Sequence, residues 1–405
     1  MKFDVVVVGG SIGGYFLVKE LRDKGFAGSI CLVDQGDQLP YNRYKLSKDW
    51  LRGDREDPPL FKKQQFYDEQ EIVVKLKTKV VAVNAAEHQV VTENGDVISY
   101  GRLVLALGSS ARHLTVPNQD AAGIFYLRSF DDALRIKKWS LQPEVKELVL
   151  VGAGFIGLEL ASTFTARGLQ VTVVEYAKAP LANIAGPDAA QYLLELHRAH
   201  GVKLITGDGV AAFEKNRQGQ IETMVTTSGK KIPAQMVIVG VGAQPNVAIS
   251  APGLKVDQQI VVNEYGETSL PDVFAVGDCT TWPYQGQLIH VEHWENARNQ
   301  GKNVARNIIN THSEPYAIRP YFWTDQYDQT IEYLGQAKQW DHILTRGEVN
   351  TGKFTLAYVD AQNRPLAVLF ANDNDKRSDV AKFMDEFKPI AVEKFVNLDL
   401  SLSEL

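Results

Sequence analysis

The apolar and polar positions of this chain fall into a pattern that occurs twice. Near the start, VVVV (Val5–Val8) is an unbroken β-branched run that ends on the glycine cluster GGSIGG. A run without alternation suits a strand buried on both faces, as in a parallel sheet. GYFLVKELRDK follows and predicts a helix that stops at Gly25, a common helix-ending residue. SICLVD then predicts a second strand, ending in Asp34. Far downstream the succession returns. LVLV (Leu148–Val151) runs into GAGFIG, then a helical segment, LELASTFTAR, before Gly168, then the strand QVTVVE ending in Glu175. Two strand–loop–helix–strand units in one chain predict two βαβ folds. Towards the other end, KFTLAYVD and LAVLFAN read as strands and SDVAKFMDEF as an amphipathic stretch.

The glycines add chemistry to the pattern. Gly152, Gly154 and Gly157 complete Gly-x-Gly-x-x-Gly, and Glu175 lies 18 residues after the last of them. In such a loop the first glycine permits the tight turn. The second lets backbone approach a pyrophosphate, and the third lets helix and strand pack closely. The helix N-terminus offers free N–H groups and partial positive charge to phosphates. Glu175 can accept hydrogen bonds from ribose hydroxyls and would repel a 2′-phosphate, which favours NADH over NADPH. Lys178 tempers that preference. In the first copy Gly9 and Gly14 hold the outer positions, Ser11 stands in the middle, and Asp34 follows 20 residues after Gly14. A dinucleotide site and a βαβ unit that has lost its ligand both fit this copy.

The bulk numbers narrow the class. A chain of 405 residues predicts two or three domains. With 44% hydrophobic and 23% charged residues it reads as a soluble globular protein. A net charge of −6 argues against a general nucleic-acid binder. Cys31 and Cys279 are the two cysteines, so a secreted disulfide framework does not fit and a reducing cytoplasmic location is expected. No run of 18 apolar residues predicts a membrane span. Val5–Val18, glycine-rich and preceded by Asp4, does not read as a signal peptide.

Several stretches resemble one family, the FAD- and NAD(P)-dependent pyridine nucleotide oxidoreductases. Within it the chain looks like the NADH-dependent ferredoxin and rubredoxin reductases that serve oxygenases. PYNRYKLSK (Pro40–Lys48), LVLALGSSAR (Leu103–Arg112) and FAVGDCT (Phe274–Thr280) carry the general resemblance. HVEHWENARNQG (His290–Gly301) and PYFWTDQYD (Pro320–Asp328) carry the narrower one. The chain departs from the family pattern at Ser11, at Leu107 where a threonine is usual, and at the missing proline between Ser110 and Arg112.

The resemblance implies an α/β fold with two Rossmann-like nucleotide-binding domains of the glutathione-reductase type and a C-terminal α+β domain. An FAD-binding domain would comprise residues 1–112 and 242–319, an NAD-binding domain 113–241, and a C-terminal domain 320–405. It implies that Gly9, Ser11, Gly14 and Asp34 hold the adenosine half of FAD. Arg43 and Lys48 would lie along the FAD, Lys48 close to the flavin ring. Asp278 would hold the ribityl chain, and His293 and Trp294 would face the flavin pyrimidine. Gly152, Gly154, Gly157 and Glu175 would hold NADH, with Glu159 beside the nicotinamide and Gly240 and Gly242 bordering its passage. Further cofactor contacts are implied for Gly108, Arg112, Gly277, Ile156 and Trp323.

In the chemistry this implies, NADH gives a hydride to flavin, Lys48 stabilises the reduced flavin, and Glu159 pairs with Lys48 when NADH is absent. Disulfide reductases of this fold pass electrons to a closely spaced cysteine pair, which this chain lacks. The flavin is then the exit, and a small one-electron iron–sulfur protein of ferredoxin or rubredoxin type is the expected acceptor. Such carriers are commonly acidic, so Arg43, Lys45, Arg298, Lys302 and Arg319 are candidates for a basic docking face. A quinone-like acceptor, and a flavoprotein used as a binding or signalling module, are the alternatives. No metal ion is expected beyond the acceptor's own, and a homodimer stays open.

Overall fold

Val5, Val6 and Val7 are fully buried in strand Lys2–Val8. Val5 and Val7 pack into one apolar cluster and Val6 and Val8 into another, so both faces of the strand are covered. That is why the run does not alternate. The strand pairs in parallel with Ile30–Val33 on one side and Val97–Leu105 on the other, and Ile72–Lys75 extends the sheet beyond Ile30–Val33. Val97–Leu105 divides its far edge. Its start pairs antiparallel with Gln89–Thr92, and its end pairs in parallel with Val273–Ala275. The first predicted helix spans Ile12–Asp23, and Gly25 follows it at φ +79°.

The computed structural model describes residues 1–372 and 377–405. By contacts the chain forms two compact units. One comprises Met1–Lys45, Asp57–Ser110 and Ala243–Ile318, and holds the sheet just described. It also holds helix Trp294–Ile309.

The other comprises Leu46–Glu56, Ala111–Gly242 and Arg319–Leu405. Its parallel sheet runs in the order Lys203–Thr206, Gln170–Glu175, Glu147–Val151, Met236–Val239, Ile124–Tyr126. Helix Phe155–Ala166 follows the second glycine loop, and Gly168 closes it at φ +84°. The C-terminal strands form an antiparallel sheet in the order Tyr321–Gln326, Gln329–Gly335, Pro365–Ala371, Lys353–Val359, His342–Glu348. The amphipathic stretch is helix Arg377–Asp385, whose Val380 and Met384 are buried in the cluster formed with that sheet.

Leu46–Glu56 belongs to the second unit because its carbonyls are claimed there. Lys137 Nζ donates to the carbonyls of Gly53 at 2.7 Å and Arg55 at 2.6 Å. Arg167 donates to Leu51 O at 3.0 Å, and Thr163 Oγ1 to Ser47 O at 2.8 Å. This tether places Ser47 and Lys48 against helix Phe155–Ala166.

Candidate functional site

The two glycine loops are built alike, and their outer glycines answer to backbone. Gly9 has φ +116° and Gly152 +99°. A Cβ on Gly9 would sit 2.1 Å from Ala106 O, and one on Gly152 2.3 Å from Gly240 O. A Cβ on Gly14 would lie 1.9 Å from Gly9 O, and one on Gly157 2.1 Å from Gly152 O. Every one of these distances is shorter than any real contact, so no side chain fits. The middle position differs. Gly154 has extended backbone, and a Cβ there would meet no protein atom within 4 Å. Ser11 has the same extended backbone and caps helix Ile12–Asp23 by position, with no side-chain capping bond. The protein itself therefore does not demand glycine in the middle. Neither helix carries an acid in its first turn, which leaves its N–H groups and positive end to an anion.

The strand-end acids also match. Gly10 N donates to Asp34 Oδ2 at 2.5 Å and Gly36 N to Asp34 Oδ1 at 2.6 Å. In the second copy Ala153 N donates to Glu175 Oε2 at 2.5 Å and Ala177 N to Glu175 Oε1 at 2.7 Å. Each carboxylate thus ties its loop down, and each oxygen keeps a lone pair for a ribose hydroxyl.

Around Lys48 the second unit gathers a buried charged cluster. Lys48 Nζ lies 3.3 Å from Glu159 Oε1 and 2.6 Å from Asp325 Oδ2. Lys48 and Glu159 are both 7% exposed. Ser47 Oγ donates to Glu159 Oε2 at 2.6 Å and Thr324 Oγ1 to Glu159 Oε1 at 2.9 Å. Burial pushes the Glu159 carboxyl above the usual range, opposed by Lys48 and these hydroxyls. Trp323 Nε1 donates to Asp325 Oδ2 at 3.1 Å, and Lys48 Nζ sits 5.5 Å from the centre of the Trp323 ring. Ile156, one turn ahead of Glu159 on the same helix, is 44% exposed, an apolar side chain left open beside a buried acid. Gly240 N bonds Val151 O behind the second loop, and Gly242 O accepts from Arg112 N at 3.0 Å.

In the first unit, Asp278 follows Gly277, which has φ +79°. Ser109 Oγ donates to Asp278 Oδ2 at 2.8 Å, and Gly277 N donates to Gln300 Oε1 at 2.7 Å. His293 is the N-cap residue of helix Trp294–Ile309. Burial brings its imidazole down to about 4, against the pull of Asp278 and Glu292, so it is neutral. Trp294 packs edge-on to Phe16 and Tyr44. In the Pro40–Lys45 segment Asn42 Oδ1 and Arg43 Nε are buried without a hydrogen-bond partner. Gly108 has φ +65°, and Leu107 packs into the core beside it while its carbonyl accepts from Asn246.

Cys31 and Cys279 are both free and buried. Burial pushes their thiols up to about 11 and about 12, so neither is a thiolate. Among the described residues no group of acids, histidines and cysteines could hold a metal, and no helix is long and apolar enough to cross a membrane.

The sequence reading singled out Lys48, Glu159 and Trp323, and the second unit brings these three together. It missed Ser47, Thr324 and Asp325. All three stand in stretches already quoted, but period-2 geometry was needed to set Thr324 and Trp323 on opposite faces of one strand. Ser109 was also missed, two residues beyond Leu107. Of the basic candidates, Lys45 is exposed, and Arg298 and Lys302 lie over Phe16 at 5.4 and 5.8 Å. Arg319 is taken up by Asp385 at 2.9 Å.

Comparison with known proteins places this architecture. The family model described as pyridine nucleotide-disulphide oxidoreductase matches residues 3–301, and a reductase C-terminal model matches 321–405. The chain belongs to the pyridine nucleotide-disulphide oxidoreductase family. It is 32% identical to rhodocoxin reductase of Rhodococcus erythropolis over 98% of this chain and 93% of that one. It is 33% identical to putidaredoxin reductase CamA of Pseudomonas putida over 90% and 89%. The solved covalent putidaredoxin reductase–putidaredoxin complex superposes with a TM-score of 0.92 at 30% identity, covering 99% of this chain and 97% of that one. The fold is that of the glutathione-reductase-like oxidoreductases with a C-terminal domain, and FAD and NAD(H) are the cofactors of the family. Despite the family's name, its member here has no cysteine pair for disulfide exchange.

Proposed function

We propose that this protein passes electrons from NADH through FAD to a small iron–sulfur carrier of ferredoxin or rubredoxin type. The observation that carries the reading is the buried Lys48–Glu159 pair at the head of the second loop's helix, in a chain whose two thiols are inert. Relatives named as reductases of rhodocoxin and putidaredoxin support it.

The residues fit the cofactors. Asn42 Oδ1 and Arg43 Nε, buried and unpartnered, are an acceptor and a donor set aside for a polar group that is not protein. The open space at Gly154 leaves backbone free for a phosphate. We assign FAD to residues 1–112 and 242–319, NADH to 113–241, and the acceptor interface to 320–405. When bound, the cofactors supply hydride transfer and single-electron release. Asp34 and Glu175 hold the two adenosine riboses, Asp278 the ribityl hydroxyls, His293 and Trp294 face the flavin, and Gly108, Arg112, Gly277 and Trp323 are further cofactor contacts. Lys48 provides a buried cation where negative charge develops, and Glu159 balances it. Ile156, Gly240 and Gly242 border the nicotinamide path. A cytoplasmic location suits the free thiols.

Anaerobic mixing tests the whole. NADH should bleach the flavin faster than NADPH, and a ferredoxin should restore the absorbance faster than a quinone. Faster restoration by quinone would make the protein a small-molecule reductase. Restoration by neither would favour a binding or signalling module.

A further inference from the structure

A line of uncharged side chains runs through the second unit and ends on Glu159. Thr324 Oγ1 donates to Glu159 Oε1 at 2.9 Å. Gln326, two residues on and so on the same face of the strand, donates from Nε2 to Thr324 Oγ1 at 3.2 Å. Its Oε1 lies 2.8 Å from His197 Nε2, and His197 Nδ1 lies 2.9 Å from Tyr327 OH. Thr324, Gln326 and His197 are fully buried, at 1%, 0% and 0% exposure. Tyr327 is half-buried, and its ring stacks on the exposed His200 at 3.6 Å. Tyr327 is itself pinned, because its N–H donates to Ser162 Oγ at 2.7 Å.

The line has a direction. With Gln326 Oε1 towards the imidazole, His197 must carry its proton on Nε2 and accept at Nδ1 from Tyr327. Every donor then points towards Glu159, and the last meets a carboxylate lone pair. A second arrangement satisfies the same groups when Glu159 carries its proton on Oε1, the oxygen that faces Thr324. In it a protonated Glu159 donates to Thr324, Thr324 donates to a Gln326 amide turned by half a revolution, and the amide donates to His197 Nε2. His197 Nδ1–H then donates to Tyr327. The net change is one proton gained by Glu159 from solvent, while His197 stays neutral and its proton changes nitrogen. Between Oε1 and Tyr327, a mixture of the two sets two donors or two acceptors face to face among buried groups.

We propose that Gln326 and His197 are positioning residues that lock Glu159 in its ionised form, so that the tautomer of His197 is tied to the protonation state of Glu159. This rests on the reading that Glu159 sits beside the nicotinamide. Glu159 is faced by Lys48, Ser47 and Thr324, with Asp325 on the far side of Lys48. His197 is faced by Gln326 and Tyr327, with His200 beyond the tyrosine ring. Burial brings His197 down to about 4, so it keeps a single ring proton around neutrality.

Nitrogen NMR of histidine-labelled, FAD-loaded protein reads the tautomer directly. His197 should be the Nε2–H form at neutral pH and turn to Nδ1–H as Glu159 takes up a proton, and the turn should vanish in Glu159→Gln. In Gln326→Met the acid limb of NADH-driven flavin reduction should move to higher pH. Thr324→Val, which changes volume little, should do the same if Gln326→Met does not fold, and Thr324→Ser should restore the profile. An Nδ1–H tautomer at neutral pH, or an acid limb that neither variant moves, overturns the proposal. If Glu159→Gln leaves flavin reduction by NADH unchanged at every pH, the nicotinamide role of Glu159 fails instead, and the NMR result still decides the line.

Discussion

Lys48 Nζ stands 3.3 Å from Glu159 Oε1 inside one compact unit, although the chain reaches Lys48 between two stretches of the other. The pair is buried on both sides and shares its cation with Asp325, so one positive charge faces two negative ones. Burial has made each partner dependent on the other.

Lys48→Met should therefore harm stability as well as electron transfer. Removing one member of a buried pair costs about 3–5 kcal/mol, because the other charge is left unpaired. Urea denaturation should show a loss of that order, and Lys48→Met with Glu159→Gln should regain part of it. Flavin reduction by NADH should slow by about a hundredfold, in line with loss of one preorganised charge. An unchanged single-turnover rate would remove Lys48 from the mechanism.

The two loops give a paired test of their glycines. Ser11→Gly should leave FAD occupancy equal or better, since the Ser11 side chain makes no capping bond to the helix it precedes. A clear loss would mean that the hydroxyl is itself a ligand. Gly14→Ser should instead abolish FAD binding, because a Cβ there would lie 1.9 Å from Gly9 O. Flavin absorbance per protein after purification measures both.

Glu175→Ala should weaken NADH and narrow its lead over NADPH. The change frees two backbone N–H groups as well as removing a repelling charge. A rise of about tenfold in KM for NADH is expected, from the loss of about two charge-assisted hydrogen bonds offset in part by water. An unchanged ratio of kcat/KM for the two nucleotides would refute the assignment.

Stability should fall on mild acidification. His197 and His293 are both held at about 4, below their ordinary 6.5. A base depressed in the folded state contributes stability that is whole above 6.5 and is lost as pH falls towards 4, because the unfolded chain binds the protons first. Glu159 runs the other way: raised by burial, it lends stability at low pH that is lost as pH rises through its folded value. The two histidines act together in the window from 6.5 to 4, each contributing on the order of 3 kcal/mol. Urea midpoints across that window should fall, and His197→Gln should flatten the slope.

Arg298→Glu with Lys302→Glu should slow reduction of an acidic ferredoxin and weaken its salt dependence, while leaving NADH-driven flavin reduction alone. Arg319→Ala should change ferredoxin kinetics little, since Arg319 is engaged by Asp385. Equal effects of all three would disprove the distinction between them.

The fold was legible because its signals are local. The Val5–Val8 and Leu148–Val151 runs, the glycines after them and the acids Asp34 and Glu175 are each set by backbone geometry within one βαβ unit. The carboxylates even bond the N–H groups of their own loops. Lys48, Glu159 and Trp323 came instead from the family resemblance that the quoted motifs carry.

The cluster itself was not local. Sequence could not say that Leu46–Glu56 is drawn to the second unit, because Lys137, Arg167 and Thr163, which hold it there, lie far along the chain. Nor could it show that Thr324 and Gln326 share a face that leads from Glu159 to His197. Residue types and spacing determine which turns and strands form, since those depend on near neighbours. Which carboxylate meets which cation, and what hydrogen each buried group must give or take, follows only once distant segments pack and water is excluded.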